Sequence, residues 1–187
     1  MAPRLGETGT EVAKHPLQQY PAAVLHTGGR VGFWLHPDDL APEIGPLSAL
    51  IPTSIAAGIS DLVYRERYRL SDQRIESLHI VLRDGLSRAS AHYACPSVAI
   101  ETDDPVQGLC AWARGNVLSE VVAFAPMVGP VHDMLPRLKA GLESMGIPLT
   151  LLRRQSDTTA FSFATSGFFP FWEKMSLHLK QLQLRAS

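Results

Sequence analysis

The sequence predicts an α/β fold, a three-layer Rossmann-like sandwich built on a five-stranded parallel sheet. Short apolar runs alternate with longer segments in which apolar residues recur every three or four positions. Such alternation of strands and helices favours a parallel sheet with right-handed crossovers. The 187 residues, 45% hydrophobic and 19% charged, are enough for one globular domain of this kind. We expect the strand order 3-2-1-4-5, which places the first strand at the centre.

The first half of the predicted domain contains two strands and a long helix. Val31–Leu35 is an apolar run that ends at the polar residues 36–39, and it forms the central strand. Residues 42–51 predict a short helical turn, and residues 54–60 predict a second buried strand. Ser71 then caps a long helix. Its apolar face consists of Ile75, Leu78, Leu82, Leu86 and Ala89.

The second half repeats the strand–helix alternation. Residues 97–100, 120–127 and 148–152 are the third, fourth and fifth strands. Asp104, followed by proline, begins the intervening helix, and Gly129, also followed by proline, begins the last one. The first of these helices should bury Val106, Leu109, Cys110 and Ala113. The second should bury Val131, Met134, Leu135, Leu138, Leu142 and Met145.

Composition divides the chain into three regions. Residues 1–30 are polar at their start and form a flexible N-terminal arm, and residues 31–155 form the α/β domain. Residues 156–187 form an aromatic C-terminal extension that includes a helix. The boundary between the domain and the extension lies within a polar linker over residues 153–160. Four large aromatic side chains crowd together in this extension. They are Phe168, Phe169, Phe171 and Trp172.

Charge, cysteine content and hydropathy exclude several classes of protein. The net charge is −1 without a basic block, so we expect no direct DNA binding. Cys95 and Cys110 lack metal or redox spacing and are expected to be reduced. No apolar run reaches about 18 residues, and the N-terminus lacks a signal-peptide pattern. We therefore expect a cytoplasmic protein without a membrane span.

The loops after the first and fourth strands are the candidate binding site. Ligands of open α/β sheets bind beyond the carboxyl strand ends, where the strand order reverses. His36, Asp38 and Asp39 follow the first strand, and Met127 and Gly129 follow the fourth. The alternative is structural, because aspartate and proline commonly end strands and cap turns. Gly129 can equally belong to a plain turn.

Motifs for catalysis and phosphate binding are missing. The sequence has no GxGxxG, no GxxxxGK[ST] and no GxSxG elbow. Its seven histidines show neither HxH nor HExxH spacing, so we expect no metal site. No complete catalytic constellation is present, and an enzymatic role is not expected.

Four stretches occur in a characteristic order. Residues 33–40 with 45–50 form a strand, an acidic loop and a helix start, and residues 74–86 form a long helix. Residues 128–135 pass from the fourth strand into the last helix, and residues 167–172 read Gly-Phe-Phe-Pro-Phe-Trp. In this order and spacing the chain resembles the amino-terminal α/β domain of the DNA photolyase and cryptochrome family.

The resemblance covers residues 31–172 and implies a stand-alone domain that binds a small nucleotide- or pterin-like ligand or a separate flavoprotein. A folate or deazaflavin antenna would, by position, contact His36, Asp38, Asp39, Met127 and Gly129. The arginines around the family's acidic loop are missing, and Gly45 replaces its usual Asn. With 187 residues there is no room for the family's helical FAD domain, so neither FAD binding nor DNA repair is expected.

Two alternatives remain open. One is a small Rossmann-like nucleotide-binding protein of the stress-protein type, and the other is an interaction module without a ligand. In photolyase-like proteins the aromatic segment leads into the helical domain, which covers it. Here residues 168–172 are therefore expected to pack partly on a second copy of the chain, as a homodimer. Folding back of the C-terminal helix over these residues within one monomer is the competing hypothesis.

Overall fold

One all-parallel sheet forms the centre of the molecule. The computed structural model describes Tyr20 and residues 28–164 and 167–186. Within these residues the strands are Val31–Leu35 (β1), Ser54–Ala57 (β2), Ser97–Ala99 (β3), Glu120–Phe124 (β4) and Leu149–Leu152 (β5). Their order is β3-β2-β1-β4-β5, which confirms the predicted topology with β1 at the centre. Most of the predicted N-terminal arm lies outside the described residues.

Helices cover both faces of the sheet and complete the predicted three layers. They are Asp61–Glu66 (α1), Asp72–Tyr93 (α2), Pro105–Gly115 (α3), Pro130–Glu143 (α4), Gln155–Phe163 (α5) and Phe168–Ala186 (α6). The buried residues of α1 and α2 belong to the core on one face, and those of α3 and α4 belong to the core on the other. Within the described residues, no helix is long and apolar enough to cross a membrane.

The central strand contributes to both cores. Phe33 and Leu35 pack on the α2 side, while Trp34 packs on the α3–α4 side, because successive strand side chains point to opposite faces. At Gly32 a Cβ atom would lie 2.3 Å from Leu118 and 2.5 Å from Trp112. Only glycine therefore lets these two side chains pack against the middle of the sheet.

Both predicted helix caps are confirmed. The Ser71 hydroxyl accepts a hydrogen bond from the backbone N–H of Arg74 at the start of α2. At the start of α3, the Asp104 carboxylate accepts hydrogen bonds from the first-turn amides of Val106 and Gln107. These contacts satisfy amides that have no partner inside the helix, which is why local sequence located the two helix starts well.

Several local predictions were wrong. Residues 42–49 do form hydrogen-bonded turns, as the predicted helical turn implies. Strand β2, however, ends at Ala57 and not at residue 60, because the chain then enters α1, a helix that was not predicted. In α3 the predicted Val106, Leu109 and Ala113 are buried, but Cys110 is only partly buried. Trp112, which was not predicted, is buried as well, and its indole N–H donates to the Ser54 hydroxyl at 3.0 Å. Residues 153–160 are not a linker, because α5 begins at Gln155. That helix buries none of its residues, so it carries no periodic apolar signal.

Candidate functional site

The loops after β1 and β4 meet at the reversal of strand order. The backbone N–H of Asp39 donates to the carbonyl of His36 at 2.9 Å, which closes a tight turn directly after β1. The turn sends the three side chains in different directions. His36 is buried, Asp38 is exposed, and Asp39 is half-buried.

His36 ties the ends of β1 and β4 together. Its Nε2 lies 2.8 Å from the carbonyl oxygen of Phe124, the last residue of β4. A carbonyl only accepts, so Nε2 donates and Nδ1 is the unprotonated nitrogen, which has no partner among the described residues. Burial lowers the pKa of His36 below its usual value, and the imidazole is therefore held neutral.

Asp38 connects the same two loops at the surface. Its Oδ2 accepts a hydrogen bond from the backbone N–H of Met127 at 2.8 Å. The two residues were predicted separately from two loops, and the structure brings them into direct contact. The hydrogen bond uses one carboxylate oxygen, so Asp38 can still accept a hydrogen bond at Oδ1.

Asp39 is paired with Arg154, a residue that was not among the predicted site residues. Both guanidinium Nη atoms contact the carboxylate, and Nη2 also donates to the Ala41 carbonyl at 2.7 Å. Arg154 Nε donates to the Ile44 carbonyl at 2.9 Å, and the guanidinium lies 3.7 Å from the centre of the Phe124 ring. The pair therefore joins the loop after β1 to the end of β5. Arg154 also neutralises the negative charge of Asp39.

Gly129 has a structural role at the start of α4. Its φ of 124° lies in the region that favours glycine, and the helix has no side-chain cap there. Its carbonyl accepts a hydrogen bond from the backbone N–H of Asp133 at 2.9 Å. Gly129 does not line the cavity that Asp38, Asp39 and Met127 share.

That cavity has a volume of about 220 Å³ and lies at the carboxyl ends of β1, β4 and β5. It combines an apolar wall with carboxylates and one buried arginine. Its lining is Asp38, Asp39, Phe124, Ala125, Met127, Leu152, Arg153, Asp157, Ala160 and Phe161. The Arg153 guanidinium lies 5.0 Å from the centre of the Phe161 ring and 4.7 Å from that of Tyr20. Pockets for drug-sized ligands measure about 300–1,000 Å³, so this cavity suits a single small ring system.

A second polar cavity, of about 480 Å³, lies beyond β2 and β3 and was not predicted. In it His79 Nε2 lies 2.7 Å from Asp61 Oδ1, and the two residues come from different helices. The remaining lining is Ile59, Glu76, Arg83, Glu101, Thr102 and Asp103. Among the residues that the structure describes, no group of three His, Cys, Asp or Glu could hold a metal ion.

Comparison with known proteins adds no further assignment. No protein-family model matches the chain, and no curated protein matches it significantly in sequence. The resemblance to the photolyase and cryptochrome family therefore stays a prediction.

The sequence contained a signal for some of the cavity residues that were not predicted. Arg153 and Arg154 directly follow the fifth strand, at the same sheet edge as the acidic loop, so an ion pair with Asp38 or Asp39 could have been inferred. Asp61 and His79 gave no such signal, because helix α1, which carries Asp61, was not predicted.

Proposed function

We propose that this protein binds one small, flat heteroaromatic ring of the pterin or purine kind. The site is the cavity at the carboxyl ends of β1, β4 and β5. One observation carries the proposal: at the topological switch point, aromatic and apolar side chains line the same cavity as the exposed Asp38. This is the usual position for ligands in open α/β sheets.

The lining chemistry suits an amino-substituted ring. The faces of a ligand ring can stack on Phe161 and contact Met127. Both contacts would remove apolar surface from water. Pterins and purines carry N–H groups on one edge, and carboxylate oxygens accept such hydrogen bonds. Asp38 and Asp157, which both line the cavity, can supply these acceptors.

The charge of the lining favours a ring over a phosphate group. Apart from Asp39, which Arg154 neutralises, two aspartates line the cavity, Asp38 and Asp157, against one arginine, Arg153. Arg154, the neighbouring cation, is already bound to Asp39. No glycine-rich phosphate loop is present in the sequence. A base or pterin is thus preferred to a phosphorylated nucleotide, which argues against the stress-protein type of nucleotide binding. The family resemblance, with its folate-type antenna, favours a pterin.

The first experiment identifies what the purified protein carries. An absorption spectrum of freshly purified protein, followed by mass spectrometry of an acid extract, should reveal a pterin-like chromophore. Calorimetric titration with pterin, guanosine and adenosine then measures which ring binds. Binding of adenosine triphosphate but none of these rings would contradict the proposal.

A cavity-filling variant locates the site. Ala160→Leu places a larger side chain in the cavity without changing Asp38 and should abolish ring binding. Ala164→Leu is the matched control, because Ala164 does not line this cavity. Equal binding by both variants would place the ligand elsewhere.

A further inference from the structure

Helix α6 presents large apolar side chains to solvent. Phe168, Phe169 and Trp172 are 66%, 83% and 54% exposed, and Leu179 and Leu182 are 45% and 47% exposed. The rings of Phe168 and Trp172 stack with an interplanar angle of 9°. The predicted folding-back of the helix over these aromatic residues is thus not what the structure has, since three of the four stay exposed.

Four of the exposed residues, together with the half-buried Met175, follow a heptad spacing. Phe168, Trp172, Met175, Leu179 and Leu182 are separated by alternating steps of four and three residues. This is the pattern of the a and d positions along which one helix packs against another helix. The partner of this surface should therefore be a helix rather than a strand or a small molecule.

The exposed apolar area of α6 is a large part of what one side of a dimer interface requires. Aromatic side chains bury 150–250 Å² each, so the three exposed rings alone offer roughly 300–500 Å². Leu179 and Leu182, each less than half exposed, add to this area, and the side chains that flank the row supply the rest of the ~800 Å² per partner of a standard interface.

The positions beside this row permit pairing with an identical helix. Ser176 and Gln183 lie on one side and carry no charge. On the other side the His178 ring contacts Phe163 of α5, with ring centres 5.7 Å apart. Two identical helices place the same residues close together, and like charges there would repel. No acidic or lysine side chain lies at these flanking positions in residues 176–183.

We infer that the protein forms a homodimer in which α6 pairs with α6 of a second copy in an antiparallel arrangement. Phe168 and Trp172 make the N-terminal end of the row bulky, and leucines make its C-terminal end slimmer. An antiparallel pair sets Trp172 opposite Leu182 of the partner subunit, and Met175 opposite the partner's Leu179. The bulky Trp172 then faces a smaller leucine and Met175 faces a residue of its own size, which packs better than ring against ring. The inference is independent of the ligand proposal.

Sedimentation analysis tests the dimer at tens of micromolar. The wild type should be a dimer, and Leu179→Glu should raise its dissociation constant by at least about 100-fold, since two buried leucines are lost. Leu177→Glu is the matched control, because Leu177 is 57% exposed on the opposite side of α6 and should leave the dimer intact. Circular dichroism should show that both variants are folded. A monomeric wild type, or equal dissociation of both variants, overturns the inference. Binding of that monomer to lipid vesicles would instead assign the surface to a membrane.

Cross-linking tests the orientation. The antiparallel pair brings Ser176 beside Ser176 of the partner subunit, whereas Leu177 points away from the contact. In a chain with Cys95 and Cys110 replaced by alanine, Ser176→Cys should form a disulfide-linked dimer under mild oxidation, and Leu177→Cys should not. A dimer in which Ser176→Cys fails to cross-link overturns the antiparallel arrangement.

Discussion

The carboxyl edge of the sheet and the outer face of α6 treat their side chains in opposite ways. At the sheet edge, His36, Asp38 and Asp39 each have a partner from a distant part of the same chain. On α6, the aromatic residues and leucines face solvent and pack little on the rest of the molecule. The first region therefore contributes to folding, whereas the second is available to another molecule. Substitutions should affect stability strongly in the first and weakly in the second.

The largest effect is expected at the central strand. Leu35 is 2% exposed in the middle of the core, so Leu35→Asp buries an unpaired charge at a cost of several kcal/mol. We expect insoluble or unfolded protein by circular dichroism. Leu177→Asp, the same change on exposed α6, should remain folded. Native spectra for Leu35→Asp would contradict the central position of β1.

The next effect is expected at the ion pair behind the cavity. Arg154→Ala leaves the Asp39 carboxylate, only 15% exposed, without its partner and removes two hydrogen bonds to loop carbonyls. Urea denaturation should show a loss of about 3 kcal/mol in unfolding free energy. Arg65→Ala, which breaks an exposed pair with Asp72, should cost less than about 1 kcal/mol. Equal losses would mean that the Asp39 pair is no more than a surface contact.

A third, smaller effect concerns pH. The pKa of His36 is lowered in the folded protein by burial, so below about pH 6.5 the unfolded chain binds a proton that the folded chain does not. Unfolding free energy should therefore fall by up to about 1.4 kcal/mol per pH unit as the pH drops below 6.5. In His36→Gln this part of the pH dependence should be absent, so its unfolding free energy should fall less steeply than that of the wild type between about pH 6.5 and 5. Urea denaturation across that pH range measures the difference. Identical slopes for the two proteins would show that His36 does not titrate differently on unfolding.

The smallest effect is expected on α6. Phe169 is 83% exposed, so Phe169→Ser should change unfolding free energy by less than about 0.5 kcal/mol. The measurement belongs at submicromolar protein, where self-association does not add to stability. A much larger loss at that concentration would show that Phe169 packs within its own monomer, and the contrast between the two regions would then disappear.

Sequence alone was sufficient for features that depend on neighbouring residues. The apolar run of β1, the caps at Ser71 and Asp104, and the alternation of strands and helices were all predicted. The observed strand order is the one expected from the sequence, chosen as the likeliest among those that right-handed crossovers permit. The contact between Asp38 and Met127 at one edge of the sheet was predictable for the same reason, since parallel strands end together.

Tertiary structure decided which residues meet across that edge. Asp39 and Arg154 are 115 positions apart, and nothing local distinguishes Arg154 from Arg153 as the partner of the carboxylate. The fate of His36 was similarly hidden, because a histidine in a polar loop becomes buried only when the Phe124 carbonyl is placed opposite it. Helix α5 was also not predicted, because its polar sequence has no apolar residues at helical spacing. Local patterns determine where the chain turns and which face is apolar, while pairing over long separations depends on how the finished layers pack.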